Sequence, residues 1–227
     1  MVLQLVEATE DDAPRSVAIE TEAYGPNGPV GLVLYPGPRP TEGNPRADEL
    51  IKQRREDPDC RWFKIVDTDL DASPEERMIA FAQWHVWTTP RTSIPSGARG
   101  PGSNPEACDL FFGGMNRKRH ALMRGKPYVY LKLLHTQPKH QKRGAASLLL
   151  EWGLEEADRL GIPAFLESSQ QGRRLYEKWG FREVETLTVD FSPWGGPSSI
   201  EVPLMLREPK GQQSSMATMD QLGQVDT

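Results

Sequence analysis

Only two cysteines, Cys60 and Cys108, occur in 227 residues, too few for a disulfide framework and without the paired spacing of a zinc site. A reducing, cytoplasmic setting is the expectation. No apolar run approaches the roughly 18 residues that a spanning helix needs, and mean hydropathy is -0.58; no membrane association is expected. The first twelve residues carry acids where a secretory signal would carry a basic and then an apolar stretch, so export is not expected. Of the four histidines, His135 and His140 lie five apart across a strand-loop junction, which is no metal-ligand spacing, and no metal is expected. There is no internal repeat.

Acidic residues are missing from one long stretch. Residues 110–150 contain no Asp or Glu but hold Arg117, Lys118, Arg119, Arg124, Lys126, Lys132, Lys139, Lys142 and Arg143. The net charge of -5 therefore divides into a +9 window and a -14 remainder. Such a run is either a solvated basic face or the surround of an anion site. The acidic total argues against general nucleic-acid binding.

What is present is globular: 37% hydrophobic and 26% charged residues. The length is about one and a half times a typical ~150-residue domain. One domain over residues 1–208 is expected, carrying an insertion at 88–127 and followed by a flexible, polar tail at 209–227. Residues 2–6 read as a strand, and Thr9 with Glu10, Asp11 and Asp12 as the capped start of a helix reaching Tyr24. Residues 25–45 are dense in Pro and Gly, with one short regular stretch at 30–35. A polar helix at 47–56 stops before Asp57-Pro58. Strands at 61–66 and 78–87 form a hairpin. Helices are expected near 106–112 and 116–123, with Gly113-Gly114 as either a hinge or an ordinary connector.

The chemistry concentrates further on. A strand at 128–136 runs into a turn, and Gly144-Ala145-Ala146 opens the strongest helix, 145–160, closed by Gly161 and Pro163. A strand-turn-helix junction points unpaired backbone N–H groups at one spot, where the helix dipole adds partial positive charge. Lys139, Lys142 and Arg143 add mobile charge around it. A short strand at 163–166, a helix at 171–179 closed by Gly180, and strands at 181–191 and 200–206 complete the order.

The spacing Gln141-x-x-Gly144-x-Ala146 resembles the Q/R-x-x-G-x-G/A signature of the GCN5-related N-acetyltransferase (GNAT) superfamily. The preceding Leu134-His135-Thr136-Gln137-Pro138 and the later Leu175-Tyr176-Glu177-Lys178-Trp179-Gly180-Phe181 resemble two more of its segments, in the right order and separation. Lys132-Leu133-Leu134-His135-Thr136, Leu150-Glu151-Trp152-Gly153 and Leu166-Glu167-Ser168-Ser169 are most similar to a fungal-type small-domain branch. The resemblance spans about residues 3–207. It implies an α/β fold with a twisted, mostly antiparallel mixed sheet, flanking helices and a splayed parallel pair at the cofactor site.

It also implies function: transfer of acetyl from acetyl-CoA to a primary amine by direct attack on the thioester. Leu134, His135 and Thr136 would hold the pantetheine and carbonyl. Gln141, Lys142, Arg143, Gly144, Ala145, Ala146 and Ser147 would hold the pyrophosphate, and Tyr176 would face the sulfur as general acid. Many members place an Asn where this chain has Glu167-Ser168-Ser169, so Ser168 or Ser169 is the candidate for the pantetheine arm. His135 is a candidate general base, its ordinary pKa of about 6.5 being suitable; its ring could equally face solvent or the phosphates, and a bound water is the other option. Tyr130, Lys132 and His85 read as packing or surface. The acceptor pocket is expected from Tyr24, Asn27, Trp84, Trp87, Phe111 and Phe112, which could equally be core.

A rival reading is a non-catalytic protein of the same fold that recognises an anionic partner, RNA or a phosphorylated protein, through residues 110–150. That window lacks the aromatic-basic interleaving of a single-strand binder. The acceptor, a small molecule or a peptide amine, and the oligomeric state, a homodimer included, stay open.

Overall fold

The computed structural model describes residues 2–25, 28–38, 42–91, 100 and 102–211. Seven strands form one mixed sheet in the order β1-β2-β3-β4-β5-β7-β6. β1 (Leu3–Glu7), β2 (Cys60–Asp67), β3 (Met78–Trp87) and β4 (Tyr128–Thr136) pair antiparallel in succession. β5 (Ala164–Glu167) lies parallel to β4, while β7 (Ile200–Arg207) runs antiparallel to β5 and to β6 (Arg182–Val189). This is the mixed sheet that the motifs imply.

Seven α-helices accompany it among the described residues: α1 (Ala13–Tyr24), α2 (Pro29–Leu34), α3 (Pro45–Glu56), α4 (Pro105–Cys108), α5 (Gly114–Met123), α6 (Ala145–Leu160) and α7 (Arg173–Lys178). The crossover from β4 to β5 is α6, since parallel neighbours need a long connection. Leu149, Leu150, Gly153, Leu154 and Ala157 of α6 are buried at helical spacing against Ala82, Trp84, Val129 and Leu131. Gly153 is there for closeness: a Cβ would lie 2.4 Å from the Trp84 ring. The opposite face of the sheet carries α1 and α3 over Trp62 and Phe81, and α2, α4 and α5 over Tyr128, Tyr130 and Phe165.

Two segments take a form that the sequence left open. In the Pro- and Gly-rich residues 25–45 the regular stretch is a helix, α2, with Pro29 at its first position, where the missing N–H costs nothing. In residues 88–127, α4 passes through a π-helical turn at Asp109–Gly113 directly into α5. Gly113 and Gly114 both have helical φ, -64° and -58°, and are buried; Gly114 admits Leu187, whose side chain would lie 3.2 Å from an added Cβ. They serve close packing within a helical run, and a hinge is not formed there.

Candidate active site

The site begins where β4 and β5 part. Their parallel pairing covers Val129 with Ala164, Tyr130 with Phe165 and Leu131 with Leu166, yet β4 continues to Thr136. Just past the last pair β4 carries an extra residue: Gln83 pairs with Leu133 and Trp84 with Leu131, leaving Lys132 as a bulge. The bulge resets the alternation, so Leu131 and Leu134 both pack on the α6 side while Leu133 packs beneath α1 and α3. Gln137 N–H donates to Ile79 O across to β3. By strand alternation, the backbone groups of Leu134 and Thr136 point the other way, into the gap.

Below the gap lies the turn into α6. Lys142 has φ +61°, rare for a residue with a side chain, and Gly144 has φ +93°. Together they lead the chain into the first turn of α6, the positive end of its dipole; Ser147 N–H there donates to Gly144 O at 3.0 Å and is not free for a ligand. A Cβ on Gly144 would meet nothing within 4 Å, so space lies open above it. Gln141 Nε2 donates to Thr136 O at 3.3 Å, latching the turn to the strand end. The Thr136 hydroxyl is buried without a hydrogen-bond partner among the described residues. An orphaned hydroxyl, open space above Gly144 and the start of a long helix fit an elongated, phosphate-bearing ligand.

Arg143 does not supply mobile charge to this turn. Its guanidinium donates to the carboxylate of Asp67, at the end of β2, and to His140 Nδ1 at 2.5 Å. Asp67 is 1% exposed. Burial pushes its carboxyl up, but the hydrogen bond from Arg143 prevails and its pKa is lowered. The side chain thus braces the turn, while Lys139 and Lys142 stay exposed beside it.

Tyr176 stands on α7 at the wall formed by β5. Its ring packs edge-on to Phe181 at 5.9 Å. Gly172 makes room for it, since a Cβ there would approach the ring to 2.9 Å. The residue is 8% exposed, and burial, with the nearby Tyr24 phenol, raises its pKa above the ordinary tyrosine value. Tyr24, at the end of α1, reaches over the gap to Leu134 O at 3.5 Å. The Tyr24 hydroxyl thus stands at the Leu134 backbone, near enough to Tyr176 to contribute to its raised pKa.

The other expected residues are distributed differently. His135 is not at the gap: the bulge turns its ring beneath α1, stacked on Phe81 and sharing a hydrogen bond with Ser16 Oγ at 3.1 Å. Burial brings its pKa down to about 4. A fully buried neutral ring facing away from the gap cannot serve as the base. Trp84 is not an acceptor wall either; it is core, with Nε1 donating to Leu149 O at 3.2 Å. Trp87 is likewise buried, donating to Asp57. Ser168 turns inward to Ser169 O at 2.7 Å, so its hydroxyl is not directed at a ligand, while Ser169 Oγ accepts from Gly172 N–H ahead of α7. Phe111 packs on Phe191 and Phe112 lies half-exposed against Phe111. Asn27 lies outside the described residues.

Three ion-paired groups at the site escape any local sequence signal, because their partners are far apart in the chain. Glu167, last residue of β5, accepts from Arg119 Nη1 at 2.5 Å and from Tyr130 Oη at 2.8 Å. Glu20 holds Arg46 through both oxygens at 2.8 and 3.0 Å. Asp67 holds Arg143. The basic window is correspondingly broken up: Arg117, Lys118, Arg119 and Arg143 bond to Asp109, Glu185, Glu167 and Asp67. It is not one continuous cationic face.

Comparison with known proteins identifies the family and the fold. The model of the Acetyltransferase (GNAT) family matches residues 34–181. The protein named "Probable acyltransferase SID5" of Ajellomyces capsulatus is 33% identical over 70 residues, 30% of this chain and 52% of that protein. An uncharacterised N-acetyltransferase of Schizosaccharomyces pombe is 32% identical over 111 residues, 48% of this chain and 46% of its own. The chain thus spans about half the length of the curated relatives it matches. Among solved structures, Arabidopsis thaliana NAA60 with a bisubstrate analogue superposes with a TM-score of 0.57 at 14% identity, covering 92% of this chain and 99% of that one. The histone acetyltransferase HPA2 and related acetyltransferase structure from Corynebacterium glutamicum gives 0.56 at 20% identity, covering 92% and 97%. At such identities these two speak for the fold alone. Family match, mixed sheet and parted β4–β5 pair agree: this chain belongs to the acetyltransferase (GNAT) family.

Proposed function

We propose that the chain transfers an acetyl group from acetyl-CoA to a primary amine by direct attack on the thioester. The observation that carries the reading is the juxtaposition of the parted strands with the left-handed turn at Lys142 and Gly144 below and Tyr176 on the facing wall. Bound there, acetyl-CoA supplies an activated acyl group and a thiolate leaving group. The amides of Lys142 to Ala146, with Lys139 and Lys142 alongside, hold the pyrophosphate. The backbone of Leu134 and Thr136, free of β5, orients the pantetheine and the carbonyl.

Tyr176 protonates the departing sulfur. Its raised pKa keeps the phenol protonated until the thiolate forms, and burial removes competing water. The acceptor enters from the face of the sheet opposite α6. The test has two parts. Acetyl-CoA should raise the melting temperature, and an amine and peptide panel should release thiol in proportion to acetylated product. Absence of either would refute the reading.

A further inference from the structure

We infer that Lys132, the bulge residue of β4, is the base that takes the proton from the acceptor ammonium. This rests on the acetyl-transfer reading above. The bulge sits directly after the last β4–β5 pair, at the start of the gap. Its side chain extends to the face opposite α6, where Gln53 Oε1 of α3 accepts from Nζ. That face is the one left to the acceptor when the turn before α6 holds the phosphates.

The neighbours explain why Lys132 has this capacity. Arg46, Glu49 and Gln53 face it from α3, Glu20 from α1, Cys60 from β2, His85 from β3 and Arg119 from α5. Each arginine is already matched by its own carboxylate, Glu20 or Glu167. Gln53 Nε2 donates to Glu49 at 2.7 Å, so an amide stands between that carboxylate and the lysine. Lys132 has no ion-pair partner among the described residues. Burial, and Arg46 next, bring its pKa down to about 8, where a substantial neutral fraction exists near physiological pH.

The other titratable side chains on this face are occupied. His135 is shut beneath α1 with Ser16. His85 gives Nδ1–H to Asp57 at 2.7 Å, and its Nε2 meets Gln83 at 3.0 Å. Glu20 and Glu167 use both oxygens. Neutral Lys132 can donate one hydrogen to Gln53 and still present its lone pair.

The proton balance closes. One N–H bond of the acceptor ammonium breaks as one forms on Lys132 Nζ, giving a free amine and a lysine ammonium. As the C–N bond forms and the C–S bond breaks, Tyr176 gives its proton to sulfur, and the nitrogen's second proton restores the Tyr176 phenol. Lys132 then returns its proton to water, so each turnover releases one proton.

The test compares the full-length chain with Lys132→Met and Lys132→Arg. The wild-type rate constant kcat/KM should rise with pH through an apparent pKa near 8. Both variants should lose that limb and about a hundredfold in kcat, on the scale of general base catalysis, while keeping the thermal shift given by CoA. Full activity in Lys132→Arg would show that charge alone is needed and would overturn the proposal. So would an unchanged pH profile in Lys132→Met. Independently of turnover, NMR titration of the ligand-free chain, with Lys132→Arg assigning the signal, should find Nζ titrating near 8; an ordinary value above about 10 overturns the proposal. A wild type that binds CoA but acetylates no amine counts against the acetyl-transfer reading, and the base assignment falls with it.

Discussion

Arg119 Nη1 donates to Glu167 Oε1 at 2.5 Å, with only 7% and 8% of the two side chains exposed. A residue of α5 thereby holds the last residue of β5 at the mouth of the gap. Tyr130 Oη completes the cluster by donating to the other carboxylate oxygen, and the guanidinium lies 4.2 Å over the Tyr130 ring.

Removing one partner strands the other in a buried place. Arg119→Met should destabilise the fold by about 3–5 kcal/mol, because Glu167 is left charged and unpaired. Arg119→Met with Glu167→Gln should lose clearly less, since no lone charge remains. Urea denaturation of both variants measures this; equal losses would mean that the pair is not coupled.

Tyr176→Phe keeps the ring that fills the space above Gly172 and removes only the hydroxyl. Under the proposed mechanism kcat falls by about one to three orders of magnitude, while stability and the CoA-induced thermal shift stay close to wild type. Steady-state kinetics beside a melting curve separates the two effects, and an unchanged kcat removes Tyr176 from the chemistry.

His135 gives the fold an acid sensitivity. Burial lowers its pKa from the ordinary 6.5 to about 4, so the neutral ring is the one the fold accommodates. A depressed folded pKa contributes stability that is fully present above pH 6.5 and is lost as pH falls toward 4. Over that window the loss is up to about 3 kcal/mol. In His135→Gln the slope of unfolding free energy between these pH values should flatten, as read by denaturant titration at a series of pH values.

Gly153→Ala tests how closely α6 lies on the sheet. The added methyl would sit 2.4 Å from Trp84, so ring or helix must shift, at a cost of about 1–3 kcal/mol. The gain in helix propensity, about 1 kcal/mol, does not offset a larger shift. A melting temperature at or above wild type would show that the ring has room to move.

The local elements announce themselves in the chain. The strand at Tyr128–Thr136 and the helix at Ala145–Leu160 have the bounds that periodicity and the Gly161 stop signal indicate. The turn between them is readable because small residues before a helix are a local, contiguous pattern. The helix that carries Tyr176 is likewise readable from its surrounding segment. Such features depend on neighbours within a few residues, where backbone preference and hydrophobic period act directly.

What only the tertiary structure decided is which way side chains point and with whom they pair. One extra residue, Lys132, reverses the alternation of β4 and sends His135 beneath α1 instead of into the gap. Trp84 reads as an aromatic wall until Gly153 is seen to bring α6 down upon it. Arg143 reads as a phosphate ligand until Asp67, 76 residues away in the chain, takes its guanidinium. The sequence alone determined the family, the sheet with its helices and the turn between β4 and α6, since these are written in short contiguous patterns. The faces of β4 and the owners of the charges were settled by contacts between distant segments, and no local pattern encodes a partner that only folding brings near.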